Sequence, residues 1–367
     1  MESTELRLVV QDDRTVRAVF QDGAETSGEL KLDNLHRDLI GLFVDWLNQE
    51  KITSRRELEV FGTLLYKMLF SGEVGRFLEQ KLSEAQRANQ RLRIQLTFAE
   101  KAADLASIPW EYLYEPEYYF LATNVNLVLS RYIPLATGRQ NLAPGESPLR
   151  ILLVVSKPLD LGPVVSDGVI EPIQKLEEAY PIKIDLLNKP TIDNFLSKVE
   201  ETKPHVMHFI GHGQFNKAEG KGEIALLDVD ERSARWVKDD EFPGFFAHMH
   251  SIPRLVFLHL CEGGAIDFRA GYAGLAPQLV LAEVQAVVAM QYPISNDAAI
   301  IFSRAFYREL AKGEPVDIAV QNARWRITTS IQNAYDNRVF GTPVLYMRSR
   351  DGIIQPVATV TLPSNGS

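Results

Sequence analysis

The stretch Leu255-Val256-Phe257-Leu258-His259-Leu260-Cys261 decides the fold, because it is an apolar run that ends in the chain's single cysteine. A second apolar run, Val206-Met207-His208-Phe209-Ile210, is followed by Gly211-His212-Gly213. Short apolar runs of this kind are typical of strands buried on both faces of a parallel sheet. Parallel strands end at the same edge of the sheet, so we expect His212 and Cys261 to lie side by side there. A histidine beside a thiol at that edge predicts a cysteine hydrolase.

The sequence around these two runs alternates between apolar strands and amphipathic helices. The predicted strands are residues 150–155, 182–187, 206–210, 255–260, 286–290 and 344–347, and the predicted helices are residues 172–179, 192–201, 274–283, 297–311 and 315–332. This alternation is typical of a mostly parallel sheet that is covered by helices on both faces. We therefore predict an α/β fold for this part of the chain.

The first part of the chain has a mixed pattern of strands and helices. It predicts a hairpin over residues 6–10 and 16–20, helices over 33–48 and around 61–69, and strands over 92–98, 108–114 and 125–132. Residues 136–148 are small, polar and turn-forming without periodicity, which indicates a domain boundary. We predict a mixed α/β amino-terminal half (1–136), a linker (137–148), a catalytic domain (149–350) and a tail (351–367).

Composition restricts the class of protein and its partners. The 367 residues include 48 acidic and 39 basic side chains, a net charge of −9, without long blocks of either sign, which is not typical of nucleic-acid binding. One cysteine permits no internal disulfide, and the amino terminus lacks the pattern of a secretory signal. No apolar run reaches the roughly 18–20 residues of a membrane span. We expect a cytoplasmic protein with neither a nucleic-acid nor a membrane partner.

The chemistry expected at His212 and Cys261 is acyl transfer. A free thiol has a pKa of about 8.5, so a catalytic cysteine needs a base nearby, and an imidazole also protonates a leaving amine. Glycine at position 213 lets backbone N–H groups approach a reacting carbonyl, and we predict an oxyanion hole from the amides of Gly213 and Cys261. The alternative is structural: a cysteine that ends a buried strand is often a small core residue, and the histidine a satisfied one.

No metal or cofactor is predicted. Asp228, Asp230 and Glu231 resemble the start of a calcium loop, but arginines occupy the positions of later ligands and of the turn glycine, so a solvated loop is favoured. His248 and His250 lack the other ligands of a zinc site.

Several segments resemble the CHAT family of caspase-like cysteine peptidases, which belong to clan CD. The matching segments are residues 105–114, 129–132, 208–213, 256–263, 286–294, 305–313, 319–324 and 341–346. The resemblance covers residues 90–350 and implies a caspase-like sheet, a pseudo-caspase amino-terminal half, and a catalytic His212–Cys261 dyad. Two positions depart from the family pattern. Leu260 stands where a small residue is common, and Glu262 adds a charge that opposes thiolate formation beside the cysteine.

The resemblance also carries expectations about substrate and control. It implies an endopeptidase that cleaves a specific protein substrate, as an effector in a bacterial defence or programmed-death system, CRISPR-linked or similar, gated by an activating or sensor protein partner. The substrate pocket is expected at Asp160, Gln291, Ser295 and Asp297. A basic substrate residue is expected if Asp160 faces the pocket, and a neutral or apolar one otherwise. The Gly-rich segment 263–277 is expected to be a flexible loop that a substrate or partner orders.

Two other classes of function stay open at this stage. In the first, the chain is a catalytically silent CHAT scaffold or interaction module that keeps His212 and Cys261 as relics. In the second, it is an acyltransferase or another thiol hydrolase with a small substrate, which requires a closed pocket.

Overall fold

The computed structural model describes residues 2–134, 148–164, 166–216, 218–247, 249, 251–261 and 268–354. In these residues the strands are β1 (Ser3–Val10), β2 (Thr15–Phe20), β3 (Glu25–Glu29), β4 (Arg91–Phe98), β5 (Tyr114–Glu115), β6 (Tyr119–Phe120), β7 (Leu127–Tyr132), β8 (Leu149–Val155), β9 (Ile182–Leu187), β10 (Val206–Asn216), β11 (Lys221–Leu227), β12 (Ala234–Lys238), β13 (Leu255–Cys261), β14 (Ala286–Met290) and β15 (Pro343–Met347). The helices are α1 (Asn34–Asn48), α2 (Arg55–Leu69), α3 (Glu73–Arg87), α4 (Asp167–Gln174), α5 (Ile192–Thr202), α6 (Phe242–Ala247), α7 (Phe268–Leu281), α8 (Asn296–Ala311) and α9 (Val316–Ser330).

One large sheet runs through both parts of the described chain. In the carboxy-terminal part, neighbouring strands in the order β9-β8-β10-β13-β14 are all parallel. Strand β15 is antiparallel to β14 and parallel to β7, and the sheet continues through the parallel strands β7-β4-β1 to the antiparallel β2 and β3. A hairpin of β11 and β12 pairs with the far end of β10. The predicted mostly parallel sheet is confirmed.

Helices cover both faces of the sheet, as the apolar strands predicted. Along β8, Ile151, Leu153 and Val155 join a core cluster that includes Phe302 and Phe306 of α8. The alternate residues Leu152 and Val154 join a second cluster, formed with α5, α6 and α7. Successive side chains of a strand point to opposite faces, so the apolar run of residues 151–155 in β8 is buried on both sides of the sheet.

The amino-terminal elements follow from local sequence signals. Strands β1 and β2 form the predicted antiparallel hairpin, and α1 begins after Asp33, whose side chain accepts a hydrogen bond from the amide of His36. Helix α3 has no counterpart in the prediction, although its buried Leu78 and Leu82 are spaced by one helical turn. It packs against β2, β3 and β4.

Three predicted elements are wrong or misplaced. Residues 108–113 are not a strand: Trp110–Tyr112 form a 3₁₀ helix, and β5, which begins at Tyr114, pairs with β6 in a separate two-stranded sheet. Pro109 cannot donate to a ladder, and the indole of Trp110 donates instead to the carbonyl of Leu105 at 2.9 Å. Helix α4 begins at Asp167 instead of 172. Helix α7 begins at Phe268, so the segment expected to be a flexible loop is helical from there, and its first residues, 263–267, lie outside the described part.

The predicted linker, apart from residue 148, and the predicted tail beyond residue 354 also lie outside the described residues. The division into domains therefore stays a prediction. None of the helices among the described residues has the length and apolar composition that crossing a membrane requires.

Candidate functional site

The two predicted catalytic positions meet in the register of β10 and β13. These parallel strands pair from Val206 opposite Leu255 to His212 opposite Cys261, as direct Cα partners. Strand β10 is longer than the predicted 206–210, because its residues 213–216 leave β13 and pair with β11. His212 therefore lies where β10 changes partner. His212 also lies at the carboxyl end of the parallel strands, the edge at which open α/β folds bind their ligands.

The imidazole of His212 is buried and oriented by a backbone group. His212 is only 4% exposed. Nε2 of its ring is 2.8 Å from the carbonyl oxygen of Gly162, in the loop after β8. Because a carbonyl only accepts hydrogen bonds, Nε2 carries the proton of this bond. In the neutral ring Nδ1 is then the nitrogen with a free lone pair. His212 therefore has the tautomer in which Nδ1 can act as a base.

Two glycines allow close packing around His212. A Cβ added to Gly213 would lie 2.7 Å from Cδ1 of Leu260, the residue before the cysteine. A Cβ added to Gly211 would lie 3.1 Å from Cβ of Ser156, at the end of β8. Leu260, where the family commonly has a small residue, thus fills the space that the absent side chain at position 213 leaves. Glycine at position 213 is therefore needed for packing, in addition to the oxyanion-hole role that is predicted for its amide.

A buried polar cluster lies on the α8 side of β10 and β13. The ring of His208 stacks on Phe257 with centroids 4.2 Å apart, and lies 5.8 Å from the ring of His259 and 5.6 Å from that of Tyr307. Burial lowers the pKa of His208 well below its ordinary value and that of His259 to about 4. Both imidazoles are therefore neutral at physiological pH, and nothing in the sequence pattern distinguished them from ordinary core positions.

Asp160 is anchored to the neighbouring hairpin. Its two carboxylate oxygens accept hydrogen bonds from the amide of Ala234, at 2.9 and 3.1 Å, where β12 begins. Asp160 follows β8, whereas Gln291 follows β14, and β10 and β13 lie between these two strands in the sheet. The loops that carry the predicted pocket residues therefore emerge on opposite sides of the strands that end in His212 and Cys261.

Gln291 is held by a buried ionic network. Its side-chain amide donates to Oε2 of Glu111 at 3.2 Å and to the carbonyl of Gly341 at 2.6 Å. Glu111 also accepts from Arg131, at 2.7 Å from Nη2 and 3.2 Å from Nε. Although burial by itself lowers an arginine pKa, the Glu111 carboxylate raises that of Arg131 above its ordinary value. The pKa of Arg324, 3.9 Å from Glu111, falls to about 10 because burial outweighs this attraction.

Ser295 and Asp297 lie at the start of α8. Ser295 is the N-cap, and its Oγ accepts a hydrogen bond from the amide of Ala298 at 3.4 Å. Asp297 is exposed in the first turn, where its charge favours the helix dipole. Ser295 also lines a cavity of about 290 Å³, together with the end of α1 and residues 331 and 337–339.

The segment that resembled a calcium loop is a closed turn. Both oxygens of Asp230 are engaged, by the amides of Arg232 and Ser233 and by the hydroxyl of Ser233. Within the described part of the chain no cluster of three histidine, cysteine or acidic side chains could hold a metal. His248 and His250 lie outside that part.

Comparison with known proteins gives a family match over most of the chain. Residues 59–340 match the family model described as the CHAT domain, and no curated protein matches. A separase structure, from the Saccharomyces cerevisiae separase–securin complex, is 17% identical with a TM-score of 0.41, and the match covers 77% of this chain and 18% of separase. The Arg-specific cysteine proteinase gingipain R is 12% identical with a TM-score of 0.46, covering 87% of this chain and 74% of gingipain. This chain thus spans 18% of the length of the separase chain that it matches.

Proposed function

Because this chain belongs to the CHAT domain family, we propose that it is a cysteine endopeptidase that cleaves a protein substrate with a His212–Cys261 dyad. The observation that carries the proposal is the register that makes these residues Cα partners at the ends of two parallel strands. It is supported by the bond from His212 Nε2 to the carbonyl of Gly162, which leaves Nδ1 as the acceptor. The resemblance to clan CD peptidases supports the reaction class.

In the proposed mechanism, Nδ1 of His212 takes the thiol proton of Cys261. The thiolate attacks the carbonyl carbon of the scissile peptide bond, and the amides of Gly213 and Cys261 donate to the oxyanion that forms. The imidazolium then gives its proton to the leaving amine, and the C–N bond breaks. Water, with His212 again as the base, hydrolyses the acyl-enzyme and restores the thiol.

The substrate segment would run between the loops that follow β8 and β14. Asp160, Gln291, Ser295 and Asp297 remain the proposed pocket residues, and the choice between a basic and a neutral substrate residue stays open. The family resemblance also supports a role as an effector in a bacterial defence or programmed-death system. Such an effector would be gated by an activating or sensor protein.

The dyad is tested without a substrate by the pH dependence of cysteine alkylation. The chain has one cysteine, so iodoacetamide reports on Cys261 alone. A dyad gives appreciable thiolate below the usual thiol pKa of about 8.5, and His212→Gln should abolish that reactivity. His36→Gln, a change in α1, is the matched control. Equal profiles for the wild type and His212→Gln would contradict the dyad and favour the catalytically silent scaffold.

Peptidase activity is tested by sequencing new protein amino termini in a cell lysate. The wild-type chain should generate termini that are absent with Cys261→Ala, and the residues before the cleavage sites would reveal the preference. The alkylation profile can support a dyad while both proteins leave the same termini. The peptidase would then have to be inactive without its partner. The same assay in lysate of the native host, which contains that partner, tests this explanation.

A further inference from the structure

The bond that orients His212 comes from an exposed loop. Its acceptor, the carbonyl of Gly162, lies 2.8 Å from Nε2 in the segment that follows β8. Gly162 is exposed, and a Cβ added to it would meet no atom within 4 Å. The side of Gly162 that a Cβ would occupy is therefore open, and no packing there with the described part of the chain holds the loop in place. The orientation of the His212 ring depends on what anchors the loop.

Two hydrogen bonds anchor this loop to the β11–β12 hairpin. The amide of Leu159 donates to the carbonyl of Arg232 at 2.7 Å. In the opposite direction, the amide of Ala234 donates to both carboxylate oxygens of Asp160, at 2.9 and 3.1 Å. The anchored residues, Leu159 and Asp160, thus lie three and two positions before Gly162 in the chain. Of the two, only the second depends on a side chain, that of Asp160.

The turn of residues 228–233, which includes Arg232 and directly precedes Ala234, is held by its own hydrogen bonds. Oδ1 of Asp230 accepts from the amides of Arg232 and Ser233 at 2.8 Å each, and Oδ2 accepts from the Ser233 hydroxyl at 2.6 Å. These hydrogen bonds, that of the hydroxyl first, lower the pKa of Asp230 to about 2. The amide of Asp228 closes the turn on the carbonyl of Ser233 at 2.9 Å. These hydrogen bonds fix the conformation of the turn to which the loop is bonded.

We infer that Asp160 is a positioning residue for His212: by binding the amide of Ala234 it holds the loop so that the Gly162 carbonyl fixes the imidazole. The inference rests on the proposed function, in which His212 activates Cys261. It gives the Asp160 carboxylate a role as a hydrogen-bond acceptor that is separate from any role of its charge in selecting a basic substrate residue.

The test compares acceptor and charge at position 160 by alkylating the purified full chain with iodoacetamide across pH. Asp160→Ala removes the acceptor, whereas Asp160→Asn keeps an acceptor oxygen and loses the charge. Asp193→Asn removes a charge from an exposed carboxylate in the first turn of α5, as the matched control. His212→Gln gives the profile of a thiol without its base.

Near about pH 6.5, Asp160→Ala should slow alkylation of Cys261 roughly two- to tenfold, toward the rate of His212→Gln, because a single anchoring hydrogen bond is lost. Asp160→Asn and Asp193→Asn should react at least as fast as the wild type, because both leave the anchoring hydrogen bond in place and lose only a charge. Near about pH 9.5 all variants should react alike, since the thiol then ionises without a base. Loss of the negative charge alone would favour the thiolate and speed alkylation, whereas loss of the hydrogen-bond acceptor slows it, so the two effects have opposite signs.

Two results would overturn the inference while leaving the dyad intact. One is an Asp160→Ala profile equal to that of the wild type, and the other is an Asp160→Asn variant as slow as Asp160→Ala. If His212→Gln itself reacts like the wild type, the dyad fails, and the inference fails with it. The failure of the proposed function is therefore distinguishable from the failure of the positioning role.

Discussion

Replacing Glu111 by glutamine should destabilise the protein strongly, because two buried guanidinium groups depend on this carboxylate. The Glu111 side chain is 2% exposed and that of its ion-pair partner Arg131 is 5% exposed. Arg324, which is fully buried, lies 3.9 Å from the same carboxylate. Glu111→Gln keeps the shape of the side chain but removes the negative charge. It therefore leaves two buried positive charges without compensation.

The expected loss follows from the cost of an unpaired buried charge. Removing one partner of a buried ion pair costs about 3–5 kcal/mol, a large fraction of the roughly 5–15 kcal/mol that stabilises most folded proteins. With a urea dependence of about 3 kcal/mol per M, the unfolding midpoint should fall by about 1–2 M. The assay is urea unfolding followed by tryptophan fluorescence. Both guanidiniums also bind backbone carbonyls, which keeps the expected loss within this range.

Two further variants make the result interpretable. Glu73→Gln breaks an ion pair with Arg76 in which both side chains are more than 60% exposed, and it should leave the midpoint unchanged. Combining Glu111→Gln with Arg131→Met removes a buried positive charge as well, and should recover part of the lost stability. A midpoint shift for Glu111→Gln below about 0.3 M would refute the reasoning, since it would mean that the charge of Glu111 does not stabilise the network.

Three other changes have defined outcomes in unfolding experiments. Gly213→Ala should cost about 1–3 kcal/mol because its Cβ would lie 2.7 Å from a Leu260 methyl, and adding Leu260→Ala should give a double variant more stable than the two separate losses predict. Additive losses would show that the two residues do not clash. Gly62→Ala places a Cβ 2.1 Å from a neighbouring backbone carbonyl and should cost about 3 kcal/mol, whereas Gly41→Ala, in open space within α1, should stabilise by about 0.5–1 kcal/mol. Similar midpoints for the two alanine variants would contradict this steric argument. Burial holds the pKa of His259 at about 4, so on acidification the unfolded chain binds this proton near its ordinary pKa of about 6.5, before the folded chain does. Stability should therefore fall between about pH 6.5 and 4, by up to about 1.4 kcal/mol per pH unit for this group, and His259→Gln should flatten that slope. An unchanged slope would mean that His259 binds its proton at the same pH in the folded and the unfolded chain, so that burial does not lower its pKa.

The main elements of the site could be predicted because their signals are local. The apolar runs before His212 and Cys261 specify two buried strands, and two such strands in one parallel sheet end at the same edge. The Thr191 cap of α5 and the apolar run of β8 are equally local, and both appear where the sequence placed them. Residues 108–114 were misassigned because the same apolar and aromatic residues suit either a strand or a buried 3₁₀ turn, and only the surrounding core decides between them.

By itself, the sequence determined the apolar strands, the helices on both faces and the two residue types at the strand ends, because hydrophobic periodicity is a property of neighbouring residues. Only the tertiary structure decided how those residues are held. The carbonyl that orients His212 belongs to Gly162, 50 positions earlier, and the carboxylate that holds Gln291 belongs to Glu111, 180 positions earlier. A backbone carbonyl carries no side-chain signal, and a pairing between distant residues leaves no trace in local periodicity. Such contacts exist only once the packed sheet has brought the segments together.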